Sequence, residues 1–252
     1  MKPIIKHYSC SFLFVFAIGI CTLNSSSGAK HEYEKIFLVP FNDGQYEKIS
    51  LQDFLKMEEV NKSIDIMNPD YDLLAAAVFY ATNEYRQNKN LPLFKYSRDL
   101  RDACDKHSRN MCDSGFFGHN NRKDTANYTP RQRIKNTGGR YFIVGENLSR
   151  TIIYKVTNAK DYYAMKGENI SGSPEFKFFD KKVKEELPTE TYIEFGRKTV
   201  KQWTDNKAYL ANLLSLHFSH CASSVAFPKE PYKKKNLPLG LVTQNFGGYI
   251  LN

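Results

Sequence analysis

Apolar positions recur at helical spacing through the first half of the chain. Leu73, Leu74, Ala77, Val78 and Ala81 predict a helix opened by Pro69-Asp70 and stopped by Asn90-Leu91-Pro92. Ser97 is placed to cap a second helix, with Asp99 in its first turn. Its one apolar face carries Leu100, Ala103, Cys104, His107 and Met111, and it ends near Gly115. Thr129-Pro130 starts a short helix with proline at its first position, and Gly138-Gly139 marks a turn. A further helix begins around Ile193 and puts Gly196, Val200 and Trp203 on one stripe. The chain then changes period. Residues 221–227 and 239–246 alternate with period two around a loop rich in Pro and Lys, which predicts a hairpin. Helices first and strands last predict a sheet covered by helices, an α+β arrangement rather than an alternating parallel one.

Residues 1–29 lack such periodicity. Lys2 and Lys6 precede an apolar run at 12–21, and Ser27-Gly28-Ala29 offers small residues for cleavage, the pattern of a secretory leader cut near Ala29. The run is too short to cross a hydrocarbon layer of ~30 Å as a helix. Ile20 before Cys21 argues against lipoprotein processing. No other segment is long and apolar enough to be transmembrane, so a secreted or periplasmic protein is expected. Residues 30–68 read as an N-terminal extension with a strand-like run at 36–40 and a helix around 51–57. Residues 69–252 read as the main domain, interrupted by a Gly-, Ser- and Pro-bearing insertion at about 150–190. With 252 residues and 41% hydrophobic content, one good-sized core is expected, in a monomer.

The formal net charge of +9 falls to +7 if Lys2 and Lys6 leave with the leader. The basic clusters, at Lys181, Lys182 and Lys184 and at Lys233 to Lys235, are short and not interleaved with aromatics, so no nucleic-acid partner is expected. Beyond the leader three cysteines remain. Cys104 and Cys112 share a helix about 12 Å apart and cannot bond to each other. Either could pair with Cys221, or all three could stay as buried thiols.

The order of motifs carries more. Asn83-Glu84-Tyr85-Arg86 with Leu91-Pro92-Leu93, the helix through His107, Phe116-Phe117-Gly118-His119-Asn120 and Thr129-Pro130 to Arg133-Ile134 come first. Gly145-Glu146-Asn147-Leu148, then Trp203 with Ala211-Asn212-Leu213-Leu214 in one helix, then Thr243-Gln244-Asn245-Phe246-Gly247 follow. In this order over about 180 residues, they resemble the CAP superfamily (cysteine-rich secretory protein, antigen 5, pathogenesis-related 1) in its bacterial SCP-like form. The resemblance implies a three-layer α–β–α sandwich with a mainly antiparallel sheet.

It also implies a cavity of two histidines and two acids that in some members holds a divalent cation. Carried onto this chain, the first histidine is His119 and the first glutamate Glu146, facing each other under the Trp203 helix. The remaining acid position is Asn206 and the second histidine position Tyr209. In another register His217, in His217-Phe218-Ser219, would be the second histidine, with His220 just beyond. Asn206 and Tyr209 are poor metal ligands, so the expectation is a non-catalytic binding module, with no catalytic residue and no required cofactor. Its ligand would be a small apolar molecule, a surface glycan or a protein partner. The alternative is a hydrolase of peptides or cell-envelope polymers. It would hold Zn²⁺, Ca²⁺ or Mg²⁺ through His119 and His217 or His220, with Glu146 as general base or as a further ligand.

Overall fold

The computed structural model describes residues 41–156, 161–168 and 174–249. The leader and the strand-like run at 36–40 lie outside the described residues. Helix α1 (Leu51–Lys56) begins where the Ser50 hydroxyl accepts the Asp53 amide. Helix α2 (Tyr71–Gln87) begins where the Asp70 carboxylate accepts the Leu73 amide at 2.9 Å. After the short strand β1 (Lys95–Tyr96), helix α3 (Arg98–Ser114) runs from the Ser97 cap to Gly115. Gly115 has φ of +67°, the left-handed conformation that glycine adopts without a Cβ penalty, and the helix stops there. Helix α4 (Pro130–Asn136) has a full capping box, Thr129 with Gln132, and Pro130 in its first turn.

Strand β2 (Ile143–Ile152) follows, then a hairpin of β3 (Tyr162–Glu168) and β4 (Pro174–Asp180). The segment expected as one helix through Leu214 is broken in two. Helix α5 (Tyr192–Thr204) ends at Asp205, and α6 (Lys207–Leu214) starts afresh under an Asn206 cap. Strands β5 (His220–Ala226) and β6 (Leu239–Gly248) close the fold.

The main sheet has the order β1-β5-β6-β2. β1 runs parallel to β5, and the other pairs are antiparallel. Helices α2 and α5 cover one face around Leu74, Val78, Phe195 and Trp203, all buried. Helices α3 and α4 cover the other, where Leu100, Ala103, Ile134 and Ala222 cluster. The molecule is an α–β–α sandwich. Gly196 explains the close approach of α5 to α2: a Cβ there would lie 2.4 Å from the Ala77 carbonyl oxygen.

The described part of the extension is built into this core. Phe41, Phe54, Met57, Val60, Ile64 and Ile66 are buried, and the Phe54 ring stacks on Tyr80 at 3.9 Å. Within the insertion, Tyr154 and Phe178 pack together with ring centroids 5.4 Å apart and tie the β3–β4 hairpin to the same cluster. Cys104, Cys112 and Cys221 are free thiols. Cys221 belongs to the α2 side of the sheet and Cys104 to the α3 side, donating to the Ala222 carbonyl at 3.2 Å.

Candidate functional site

β2 is the outermost strand of the sheet, and alternation along it sends Glu146 toward α3 and Asn147 toward the opposite face. Gly145 precedes them because a Cβ there would lie 2.8 Å from the Phe218 ring and 3.2 Å from Asn212 Oδ1.

Burying the Glu146 carboxylate would be costly without compensation. Arg133 compensates it. The guanidinium Nη2 donates to Glu146 Oε2 at 2.6 Å, with the two side chains 0% and 1% exposed. The same guanidinium donates to the backbone carbonyls of His119, Asn127 and Tyr128 at 3.0 to 3.2 Å. One side chain on α4 therefore holds both the carboxylate and the loop that carries His119.

His119 Nδ1 lies 2.8 Å from Glu146 Oε1. The carboxylate, gripped by Arg133 at its other oxygen, accepts here, so Nδ1 is the donor and Nε2 is the ring nitrogen left for other contacts. The Tyr209 hydroxyl lies 3.4 Å from that Nε2, and the rings meet edge to face at 5.9 Å. The His119 side chain is 44% exposed, so this ring is the point where the buried pair reaches solvent. Burial, and then the charge on Glu146, raise the Tyr209 pKa, keeping it a neutral phenol.

Beneath lies His107, fully buried on α3. Its Nε2 donates to the Gly118 carbonyl at 2.9 Å and stands 4.0 Å from Glu146 Oε1. Burial lowers its pKa from 6.5 to about 4, outweighing the attraction of Glu146, so the ring is neutral at physiological pH. His107, expected only as a core residue of its helix, thus also fixes the loop before His119.

On the other face Asn147 donates to the Tyr209 carbonyl at 3.1 Å and accepts from Asn212 at 2.8 Å, which anchors α6 to the strand. The structure brings His119, Glu146 and Tyr209 together. The contact to His119 comes from α6 rather than from the Trp203 helix; Trp203 is buried, its indole donating to the Leu148 carbonyl. Asn206 is elsewhere engaged: its side chain accepts the amides of Ala208 and Tyr209 as the α6 cap. His217 is exposed, with its own amide bonded to Ser215 Oγ. His220 opens β5 against the rings of Tyr141 and Tyr249.

Beside His119 opens a cleft of about 600 Å³, walled by Phe116, Phe117, Asn120, Arg122 and Tyr128 among others. Of the expected cavity residues only His119 lines it; Glu146, Asn206, Tyr209 and His217 do not. Phe117 in its wall is covered by the Arg150 guanidinium, 4.4 Å from the ring centroid.

The donor set does not fit a divalent cation. A zinc site with an open position takes three protein ligands. Here both Glu146 oxygens are held by Arg133 and His119, and no group of three His, Cys, Asp or Glu gathers among the described residues. A cation taking Glu146 would strip the buried Arg133 of its counter-charge. Sequence reasoning missed Arg133 as a site residue. Its only signal is its place in a proline-capped helix thirteen positions before the glutamate.

A sandwich whose outer strand presents Gly-Glu-Asn, its glutamate bound to a histidine of the preceding loop, defines a CAP/SCP-type domain. The chain matches the family model described as "Cysteine-rich secretory protein family" (CAP) over residues 79–227, more than half its length, and belongs to that family. No curated protein matches it. Among solved structures it is similar to an extracellular protein containing an SCP domain from Bacillus anthracis. That match has 18% identity and a TM-score of 0.44, and covers 72% of this chain but only 42% of that one. It is also similar to an outer surface protein of Borrelia burgdorferi, with 11% identity and a TM-score of 0.43, covering 69% of this chain and 92% of that one.

Proposed function

We propose that the protein is an extracellular, non-catalytic binding module whose ligand, a surface glycan, seats in the cleft beside His119. One observation carries the reading. Glu146, the acid that a hydrolytic mechanism would need, is spent as the counter-ion of Arg133 and the anchor of His119. A base so neutralised is not available to activate water. Its role is to hold the 116–128 loop in shape, and that loop is the cleft.

The lining suits sugar rather than an apolar ligand. Phe116 and Tyr128 offer aromatic surface, Asn120 offers an amide, and Arg122 and Lys123 offer further donors. Secretion rests on the leader pattern at 1–29. No helix among the described residues is long and apolar enough to cross a membrane.

Calorimetric titration with chitotetraose tests the reading. Binding is expected, with Tyr128→Ala weakening it about tenfold or more, as loss of a stacking ring would. In parallel, turnover of a peptide or cell-wall polymer that stops on adding chelator, or in Glu146→Gln, would overturn the non-catalytic assignment.

A further inference from the structure

A second cavity, of about 300 Å³, lies on the far side of Phe116 between the C-terminal end of α3 and the loop joining β5 to β6. Phe116 lines both spaces, but His119 and Tyr128 do not enter this one. Its body is apolar, built from Met111, Phe116, Leu237, Leu239 and Leu241. Pro228, Pro231 and Pro238 form part of the wall. Prolines fix φ along the loop, so the wall loses little freedom when something fills it.

The charges at its mouth all have one sign. Arg150 and Lys234 line the cavity, and neither has a carboxylate partner among the described residues. Two acids from the elements around the cavity face other lysines: Asp113 faces Lys229 at 3.9 Å, and Glu230 faces Lys233 at 2.9 Å. The Arg150 guanidinium lies over Phe117, 4.4 Å from the ring centroid, and makes no hydrogen bond among the described residues, so its N–H groups are available to donate.

An apolar trough with unpaired cations at its mouth is complementary to one ligand chemistry. We propose that this cavity binds a small organic anion with an apolar body, its carboxylate between Arg150 and Lys234 and its carbon skeleton against Leu237, Leu239 and Leu241. The site is distinct from the glycan cleft and does not depend on that assignment.

Cys112 supplies a reporter. Its thiol lines the same cavity and is half-buried, whereas Cys104 and Cys221 are fully buried.

Decanoate is the probe, with decanol and decylammonium of equal chain length as controls, titrated into the purified secreted chain below any micellar concentration. Decanoate is expected to bind. Decanol, decylammonium and the Arg150→Gln/Lys234→Gln double variant each weaken the interaction about tenfold or more, the loss of charge-assisted hydrogen bonds. Decanoate also slows alkylation of Cys112 by iodoacetamide. Leu239→Trp, filling the trough, abolishes binding while its circular dichroism stays native. Equal affinity for decanol, unchanged decanoate affinity in the double variant, or an unprotected Cys112 would each overturn the proposal. So would binding to phosphatidylglycerol vesicles in the absence of binding to free decanoate, which would assign the cations to a bilayer surface instead.

Discussion

Replacing Glu146 by glutamine removes one charge from the interior and nothing else of size. The guanidinium left behind is 0% exposed in its side chain and has no second carboxylate partner among the described residues. Breaking one half of a buried ion pair costs about 3–5 kcal/mol. For a domain of this size, about 2–4 °C is lost per kcal/mol, so the melting temperature should fall roughly 6 to 20 °C. The new side chain keeps its carbonyl toward Arg133 and presents an amide N–H to His119 Nδ1. That nitrogen must then accept, and the ring proton moves to Nε2, toward Tyr209. Scanning calorimetry at pH 7 reads the first effect, and imidazole ¹⁵N shifts read the second. Adding Arg133→Met should recover part of the loss, because no unpaired charge then remains. A loss below ~1 kcal/mol, or strict additivity of the two substitutions, would refute the account of Glu146 as an internal counter-ion.

Burial of His107 makes a pH prediction. Its folded pKa of about 4 lies below the unfolded 6.5, so between these values the unfolded chain binds a proton that the folded one refuses. The contribution of the neutral ring is complete above pH 6.5 and is lost as pH falls to about 4, at most about 3 kcal/mol. Urea unfolding from pH 4 to 7 should show this slope, and His107→Gln should flatten it; an unchanged slope would place the titration elsewhere. Gly145→Ala should cost about 1–3 kcal/mol by forcing the Phe218 ring away, measured by denaturant midpoint. Of Cys104, Cys112 and Cys221, only Cys112 should react with a thiol reagent in the native state, the other two following only on unfolding.

Much of the fold is legible because burial leaves a periodic trace. Leu73, Leu74, Ala77, Val78 and Ala81 repeat at helical spacing because one side of α2 meets the sheet. The β5–β6 hairpin alternates because each strand is covered on both faces by unlike partners. The break at Asn206 was hidden for a physical reason. A capping asparagine leaves the surrounding apolar pattern almost unchanged, and the last turn of one helix reads like the first of the next. His119 and Glu146 could be named from short motifs, Phe116-Phe117-Gly118-His119-Asn120 and Gly145-Glu146-Asn147-Leu148, standing in a recognisable order. Arg133 could not, because an arginine on a seven-residue helix looks like a surface cation until tertiary contacts bury it. The extension was equally opaque: Phe41 and Phe54 become core only because α2 lies beneath them.

The two sides of the sheet are unequal in the hydrocarbon they bury. Toward α2 and α5 the contact buries most of the hydrocarbon but also carries directional bonds, with Gln244 donating to Thr82 and Ser223, and Thr151 bonding Thr199 and Gln202. Toward α3 it is held by Ser108 donating to Thr243 and to the Ser224 carbonyl, by Cys104 on Ala222, and by His107 beside Glu146. Hydrocarbon rewards approximate contact, whereas directional bonds reward only the final register. The α2 side, with the large apolar cluster, is therefore able to collapse early, while the α3 side, whose apolar cluster is only Leu100, Ala103, Ile134 and Ala222, locks late, and hydrogen exchange should open α3 before α2. Because the loop bearing His119 hangs from that late-locking half, shape at the binding face is the last thing folding delivers and the first that mild denaturation takes away.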